Sequence, residues 1–296
     1  MKAILDIGVV AVIVLMMAAV GMELEGRHLR AVLQRKGLLL LTLAAQAVIL
    51  PALGVGLTRA MALPPELTAG ILLLAACPVG DIANVYTLLA RANVALSVTV
   101  NTLSILLAAG TMALIFEAYD HVLGAHFVFA VPTPALLGRL LLLLVLPVLA
   151  GSSLRRLAPR FTETNTKTVH RASVAGIAFL LMYVMVTQHE RLAAEWQQTA
   201  LVAAGFMGVA LLAGLTFGRL LRLSNEDTVT VGIGFAVRNV GLASAIAITL
   251  LNRIEYAVFA VVYFLTEVPL LLGAVGVSRL FRAPAVPHAD LSHNSR

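Results

Sequence analysis

Apolar stretches alternate with short polar joints along the chain, and nine can be drawn, near 4–24, 37–58, 67–90, 93–116, 134–152, 172–188, 198–218, 228–250 and 256–278. As helices of about 20 residues, they are long enough to cross the hydrocarbon layer of a bilayer. Two places break the pattern. CPVGDIANVYTLLARANVALSVTVNTLS, from Cys77 to Ser104, sets a Pro-Val-Gly interruption, Asp81 and Asn84 inside a run that is otherwise apolar. TVTVGIGFAVRNVGLASAIAITL, from Thr228 to Leu250, repeats the device with Gly232, Gly234, Arg238, Asn239 and Gly241. Hydrocarbon tolerates unwound backbone only where protein or a water-filled cavity satisfies the freed N–H and C=O groups, so paired interruptions predict a substrate site and a transporter.

Composition agrees with this class. The 296 residues are 60% apolar and 12% charged, with a mean hydropathy of +0.96, and a soluble domain of that size needs a more polar exterior. The net charge of +6 comes from Lys and Arg in short joints rather than from a basic patch with interleaved aromatics, which argues against nucleic acid. Cys77 is the single cysteine, so no internal disulfide framework forms, and none of the seven histidines falls in the middle of a span. Cofactors are not implied.

The basic residues also give an orientation. Arg27, Arg30, Arg35 and Lys36 follow the first span, Arg91 the third, and Arg155, Arg156, Arg160, Lys167 and Arg171 the fifth. Arg219 and Arg222 follow the seventh span, and Arg279 and Arg282 the last, whereas the alternate joints hold chiefly Arg59, Arg191 and Arg253. Positive-inside then places the N-terminus outside and the C-terminus in the cytoplasm. Only Lys2 precedes the first apolar stretch, and four cationic residues follow it, so it is read as a retained helix and not as a signal peptide. Residues 1–282 form one transmembrane unit and 283–296 a disordered cytoplasmic tail. The substantial non-membrane stretches are Glu25–Lys36, Ala118–Pro134 and Leu154–Arg171, the last being the expected linker between halves.

The broken helices are the third and the eighth. An odd offset of five spans runs them in opposite directions, as in an inverted five-helix repeat, and both breaks carry an Asn-Val pair, Asn84-Val85 and Asn239-Val240. Two such repeats need ten spans, so the first helix of the first repeat is expected to be missing.

The Cys77–Ser104 block resembles the fourth- and fifth-helix region of the bile acid:sodium symporter superfamily, in which a CPGGxxSN-type break is followed by TxLARGNVALSV. GIGFAVRNVGLASAIA resembles that family's GxExGxQNxxLA motif, and Gly21-Met22-Glu23-Leu24, Gln46 and Pro51 agree as well. The resemblance covers essentially the whole chain. It implies an all-α fold of panel and core domains, with two broken helices crossing in the core. It also implies transport of an organic anion, such as a bile acid, another steroid conjugate or a small carboxylate, usually coupled to sodium. Half-helix N-termini suit such a cargo, because their free N–H groups present partial positive charge. Asp81, Asn84, Arg238 and Asn239 are the expected substrate-binding residues.

The departures from the family pattern bear on coupling. Sodium-coupled members carry an acidic residue and a Gln where this chain has Gly234 and Arg238, and a Ser where it has Ala83. Gln46, Asn84 and Ser97 match the cation ligands, and Asn101 replaces a hydroxyl with another oxygen donor. A guanidinium and a missing carboxylate remove much of the countercharge a cation needs, so the expectation is sodium coupling that is altered or absent. Asp81 is the other departure. An ionisable residue at mid-membrane costs about 2.5 to 3.5 kcal/mol on insertion scales, and Arg238 is its obvious partner, either in the site or as a lock on the crossing.

Weaker candidates have structural readings. Glu267, before Pro269, reads as a hydrogen-bonded carboxyl near a kink; Asp6 and Glu23 read as interfacial; Cys77 reads as a small buried residue; His28, His170 and His189 read as loop residues. Two other classes fit the sequence less well. A membrane enzyme would need motifs such as G-x-S-x-G, H-E-x-x-H or a P-loop, which are absent, and a sensor would bind without net translocation. The expected setting is a bacterial inner membrane. Cysteine labelling of accessible positions should find Arg160 on the cytoplasmic side; an extracellular Arg160 overturns the orientation.

Overall fold

The computed structural model describes residues 2–23, 35–61, 63–124 and 133–280. The tail at 283–296, His28 and the side chain of Asp6 lie outside the described residues. The helices are α1 (Lys2–Glu23), α2 (Lys36–Met61), α3 (Pro65–Ala76), α4 (Ile82–Leu89) and α5 (Val94–Leu123). Then come α6 (Thr133–Leu140), a π-helical turn (Leu141–Val145), α7 (Leu146–Leu157), α8 (Pro159–Thr187) and α9 (His189–Leu220). The chain closes with α10 (Asn225–Ala236), α11 (Val240–Thr249), a 3₁₀ turn (Ile254–Tyr256) and α12 (Ala257–Leu280).

Six helical stretches among the described residues are long and apolar enough to cross a membrane: Lys36–Met61, Val94–Leu123, Leu137–Leu157, Pro159–Thr187, His189–Leu220 and Ile254–Gly276. Ile7–Glu23, Pro65–Ala76 and Val240–Thr249 are shorter apolar helices. For the third and eighth of the nine stretches the difference has a physical source in the breaks, since interrupting a span leaves pieces too short to cross alone, whereas the first is one unbroken helix of which Ile7–Glu23 is fully described. The long helices carry the outward apolar face: Leu40, Val48, Leu142, Leu149, Phe179, Met182, Val186, Leu201 and Leu212 are exposed, as lipid-facing side chains must be in a membrane protein. The short helices are interior. Leu67–Ala76 in α3, Val240–Ile248 in α11 and most of α10 are buried all round, which suits helices with no polar face.

Proline explains the irregularities. Pro78 has no N–H and forces Cys77 out of the helical region, to φ −65° and ψ 154°, so α3 stops there. Pro147 follows the π-helical turn and withholds the N–H that Leu143 C=O would otherwise accept, which fits the wider turn before it. The Leu154–Arg171 segment differs from the linker expected of it: α7 runs to Leu157 and α8 starts at Pro159, leaving Ala158 as the joint. Polarity ends the apolar pattern there, but a helix needs no apolar run, and the first half of α8 is a helix of polar composition.

Small residues set the closest helix contact. α1 packs on α7, α8 and α11. A Cβ on Gly21 would lie 2.1 Å from Val148 O, and one on Gly151 would lie 2.2 Å from Ala18 O, so the α1 and α7 backbones touch where both lack side chains. Gly151→Leu should therefore abolish or sharply lower the thermal unfolding temperature in detergent, whereas Gly110→Ala, with nothing within 4 Å of its added methyl, should leave it unchanged or slightly higher. Equal melting of the two variants would contradict this contact.

Candidate functional site

The two breaks meet. Val79 and Arg238 form an antiparallel bridge in which Gly80 N donates to Val237 O at 3.3 Å and Asn239 N donates to Pro78 O at 3.0 Å. Other freed groups are satisfied nearby. Val79 N donates to Ser104 Oγ at 3.2 Å, Ser104 Oγ donates to Asn101 O at 2.7 Å, and Tyr263 Oη donates to Ala236 O at the end of α10. Gly80 is required by the close approach, because a Cβ there would lie 2.7 Å from Arg238 O.

The polar residues of the breaks are placed differently from one another. Asn239 caps α11, its Oδ1 accepting from Leu242 N at 2.9 Å, which explains why helix resumes at Val240. Asn84 lies in the first turn of α4 and its Oδ1 accepts from Ser97 Oγ at 2.8 Å, with Thr87 Oγ1 donating to Ser97 Oγ at 3.3 Å. The shared Asn-Val pair thus does not mark identical backbone positions.

Asp81 and Arg238 go to different partners. Asp81 Oδ1 accepts from Asn101 Nδ2 at 2.6 Å, and its other electrostatic neighbours are Glu23 and His170. Arg238 is 5% exposed, and its Nε and Nη1 have no hydrogen-bond partner; no Asp81–Arg238 ion pair forms among the described residues. The pairing expected from the sequence is therefore replaced by an Asn101 contact, since α5 runs beside α4 and offers the nearer donor. Glu23 and His170, read as interfacial and loop residues, approach each other at 3.5 Å and face Asp81.

The residues expected as cation ligands fall into smaller groups. Gln46 and Ser97 line a void of about 10 Å³ with Val79, Val100, Thr230, Val231 and Gly234. Neither Gly234 nor Ala83 has a side-chain oxygen to contribute. Asn101 Oδ1 and Gln46 Nε2 are buried without partners. The Glu267 carboxyl is fully buried in α12, with the Tyr86 hydroxyl as its polar neighbour.

One network went unnoticed in the sequence. Asp227, in the first turn of α10, accepts from Arg35 Nη1 and Asn93 Nδ2, both at 2.7 Å; Asn93 caps α5 through Leu96 N, and its own N–H donates to Thr230 Oγ1 at 3.0 Å. It borders an open cleft of about 710 Å³ lined by Arg35, Lys36, Asn93, Arg222, Ser224 and Glu226. Nothing in the spacing of Arg35, Asn93 and Asp227 announces that they meet, although the Ser224-x-x-Asp227 pattern does signal a helix start.

Interrupted apolar helices meeting in the interior of an all-helical membrane protein define a transporter class. The comparisons with known proteins make the class specific. Residues 10–195 match the Sodium Bile acid symporter family, and the chain belongs to that family. It is 27% identical over 253 residues to an uncharacterized sodium-dependent transporter, YocS, of Bacillus subtilis, covering 83% of this chain and 76% of the relative. It is 26% identical to a probable sodium/metabolite cotransporter of Arabidopsis thaliana chloroplasts, BASS1, over 78% of this chain and 56% of the relative. It is also 27% identical to the P3 protein of Mus musculus, covering 79% of this chain and 50% of that protein. The chain therefore spans about half the length of the latter two. The second break lies beyond the family match. These relatives are named as transporters rather than enzymes where their names state an activity, and the chain is an integral membrane protein.

The Tyr263 bond can be tested directly. Tyr263→Phe leaves the Ala236 carbonyl without that donor and should cost about 1 to 3 kcal/mol of stability, read as a lower unfolding temperature with helix content retained by circular dichroism. An unshifted transition would remove the hydroxyl from the account of the break.

Proposed function

We propose that this chain is a secondary transporter that carries an organic anion across a bacterial inner membrane by alternating access, without a requirement for sodium. The meeting of the two breaks carries the reading: Asn84, Asn239 and the N-termini of α4 and α11 gather polar groups around unwound backbone inside apolar helices. The cargo is bile-acid-like or a small carboxylate. Asp81, Asn84, Arg238 and Asn239 surround it, with nine spans arranged as inverted repeats in panel and core domains, the N-terminus outside and the C-terminus in the cytoplasm.

Sodium independence follows from donor chemistry. A hard cation takes several oxygen ligands and countercharge. Gln46, Asn84, Ser97 and Asn101 retain oxygens, but Gly234 and Ala83 supply none, and Arg238 brings a fixed positive charge to a crevice it shares with Gln46. The relatives named as sodium-dependent favour a second reading, coupling through the surviving ligands. The position of Asp81 beside Asn101, clear of Arg238, favours a third, coupling to protons through Asp81.

Flux of radiolabelled organic anions into proteoliposomes separates these readings. The expected outcome is saturable uptake that persists when Na⁺ is replaced by K⁺ or choline, and that falls roughly tenfold to a hundredfold in apparent affinity in Asn84→Ala or Asn239→Ala. A steep, saturable Na⁺ requirement supports the second reading, and acceleration by an inward proton gradient, lost in Asp81→Asn, supports the third. Binding without uptake of any anion would make the chain a sensor and overturn the transport reading.

A further inference from the structure

Arg238 carries a buried charge with no ion-pair partner among the described residues. A guanidinium stays protonated in essentially any protein setting, and a buried charge is stable only when paired. Arg238 is 5% exposed, its Nε and Nη1 are without partners, and its electrostatic neighbours are the neutral thiol of Cys77 and the phenols of Tyr263 and Tyr119. Asp81, the nearby carboxylate of the breaks, is spent on Asn101.

A second unpartnered donor belongs to a residue lining the same crevice. Gln46 of α2 is 4% exposed and its Nε2 has no partner. Gln46 and Arg238 line one crevice with Cys77, Pro78, Ser104 and Thr111. The hydroxyls of Ser104 and Thr111 donate to their own helix, to Asn101 O and Leu107 O, and no acidic side chain lines the crevice. Gly234 adds to the picture by what it lacks: a Cβ there would sit 3.3 Å from Gln46 Nε2, so a longer acidic side chain would take the amide that now faces the gap. The crevice is small, about 30 Å³, room for a few water-sized atoms. That volume admits one small anionic group and excludes a steroid body.

We propose that Arg238 and Gln46 form a binding site for a small monovalent anionic group, supplied either by the carboxylate end of the cargo or by a free halide. The group neutralises the guanidinium and accepts from the amide, so the crossing carries a bound anion where a cation-coupled carrier would carry a bound cation. The site itself stands on the orphaned donors; its cargo arm alone rests on the transport reading.

The test uses purified full-length protein in detergent. Its unfolding temperature is followed in sodium bromide, chloride, formate and acetate against gluconate at constant ionic strength. A saturable rise with small anions and none with gluconate is expected. Arg238→Gln should weaken it about tenfold or more, and Gln46→Glu should abolish it by placing a carboxylate beside Arg238. If Arg238→Gln does not fold, Arg238→Lys, which keeps the charge and loses the planar donors, serves in its place. Stabilisation by formate and acetate with competition against cargo uptake assigns the site to the cargo carboxylate; cargo uptake that requires bromide or chloride assigns it to a halide. No anion-specific shift in the unsubstituted protein, or a shift unchanged in Gln46→Glu and in the Arg238 variant that folds, overturns the site. Because the binding readout needs no flux, a failure of transport leaves this result standing.

Discussion

Backbone hydrogen bonding inside an apolar layer is the constraint on which the rest of this structure depends. A peptide group without a partner in hydrocarbon costs several kcal/mol, comparable with the roughly 5 to 15 kcal/mol that separates folded from unfolded states of ordinary domains. Pro78 ends α3 in mid-chain and Val237 leaves α10 extended, so each break exposes groups its own helix cannot satisfy. They satisfy each other across the Val79–Arg238 bridge, and the surrounding helices finish the work through Ser104 and Tyr263. Gly80, the Asn239 cap and the burial of α3, α10 and α11 follow from bringing two unwound segments within bonding distance.

The same meeting point concentrates polarity in an otherwise apolar interior, and this ties the fold to function. Acceptors that finish helices, such as the side-chain oxygen of Asn239, and donors without partners, such as Arg238 Nε and Nη1 and Gln46 Nε2, lie around one crossing. An interior that only needed to be stable would not keep a guanidinium and an amide without partners, because a missing partner for a buried charge costs more than the pair contributes. Their retention is the physical mark of a place that meets something from outside the chain. The separation of Asp81 from Arg238 matters for the same reason, since a closed ion pair would have cancelled both charges within the protein.

Several features were legible in order of residues alone. The long apolar stretches, the two interruptions and the resemblance of the Cys77–Ser104 block are local, and local patterns survive in one dimension. Pro78 announced the end of α3 because its effect on Cys77 is confined to neighbouring atoms. The helix ends at α7, α8 and α9 were misjudged, since hydropathy reports where a lipid face ends and not where a helix does. The Asp227 network was missed because partners for a side chain come from other helices.

The chain by itself determined that this is an all-helical membrane protein of the sodium bile acid symporter family with two interrupted spans, because apolar length, proline chemistry and motif spacing are properties of contiguous residues. Only the tertiary structure decided that the interruptions bond to each other, that Asp81 turns to Asn101, and that Arg238 shares a crevice with Gln46 while its Nε and Nη1 are without partners. Those outcomes depend on distances between residues far apart in sequence, from 46 to 238, and a linear order of side chains carries no record of which charges will find one another once the helices have packed.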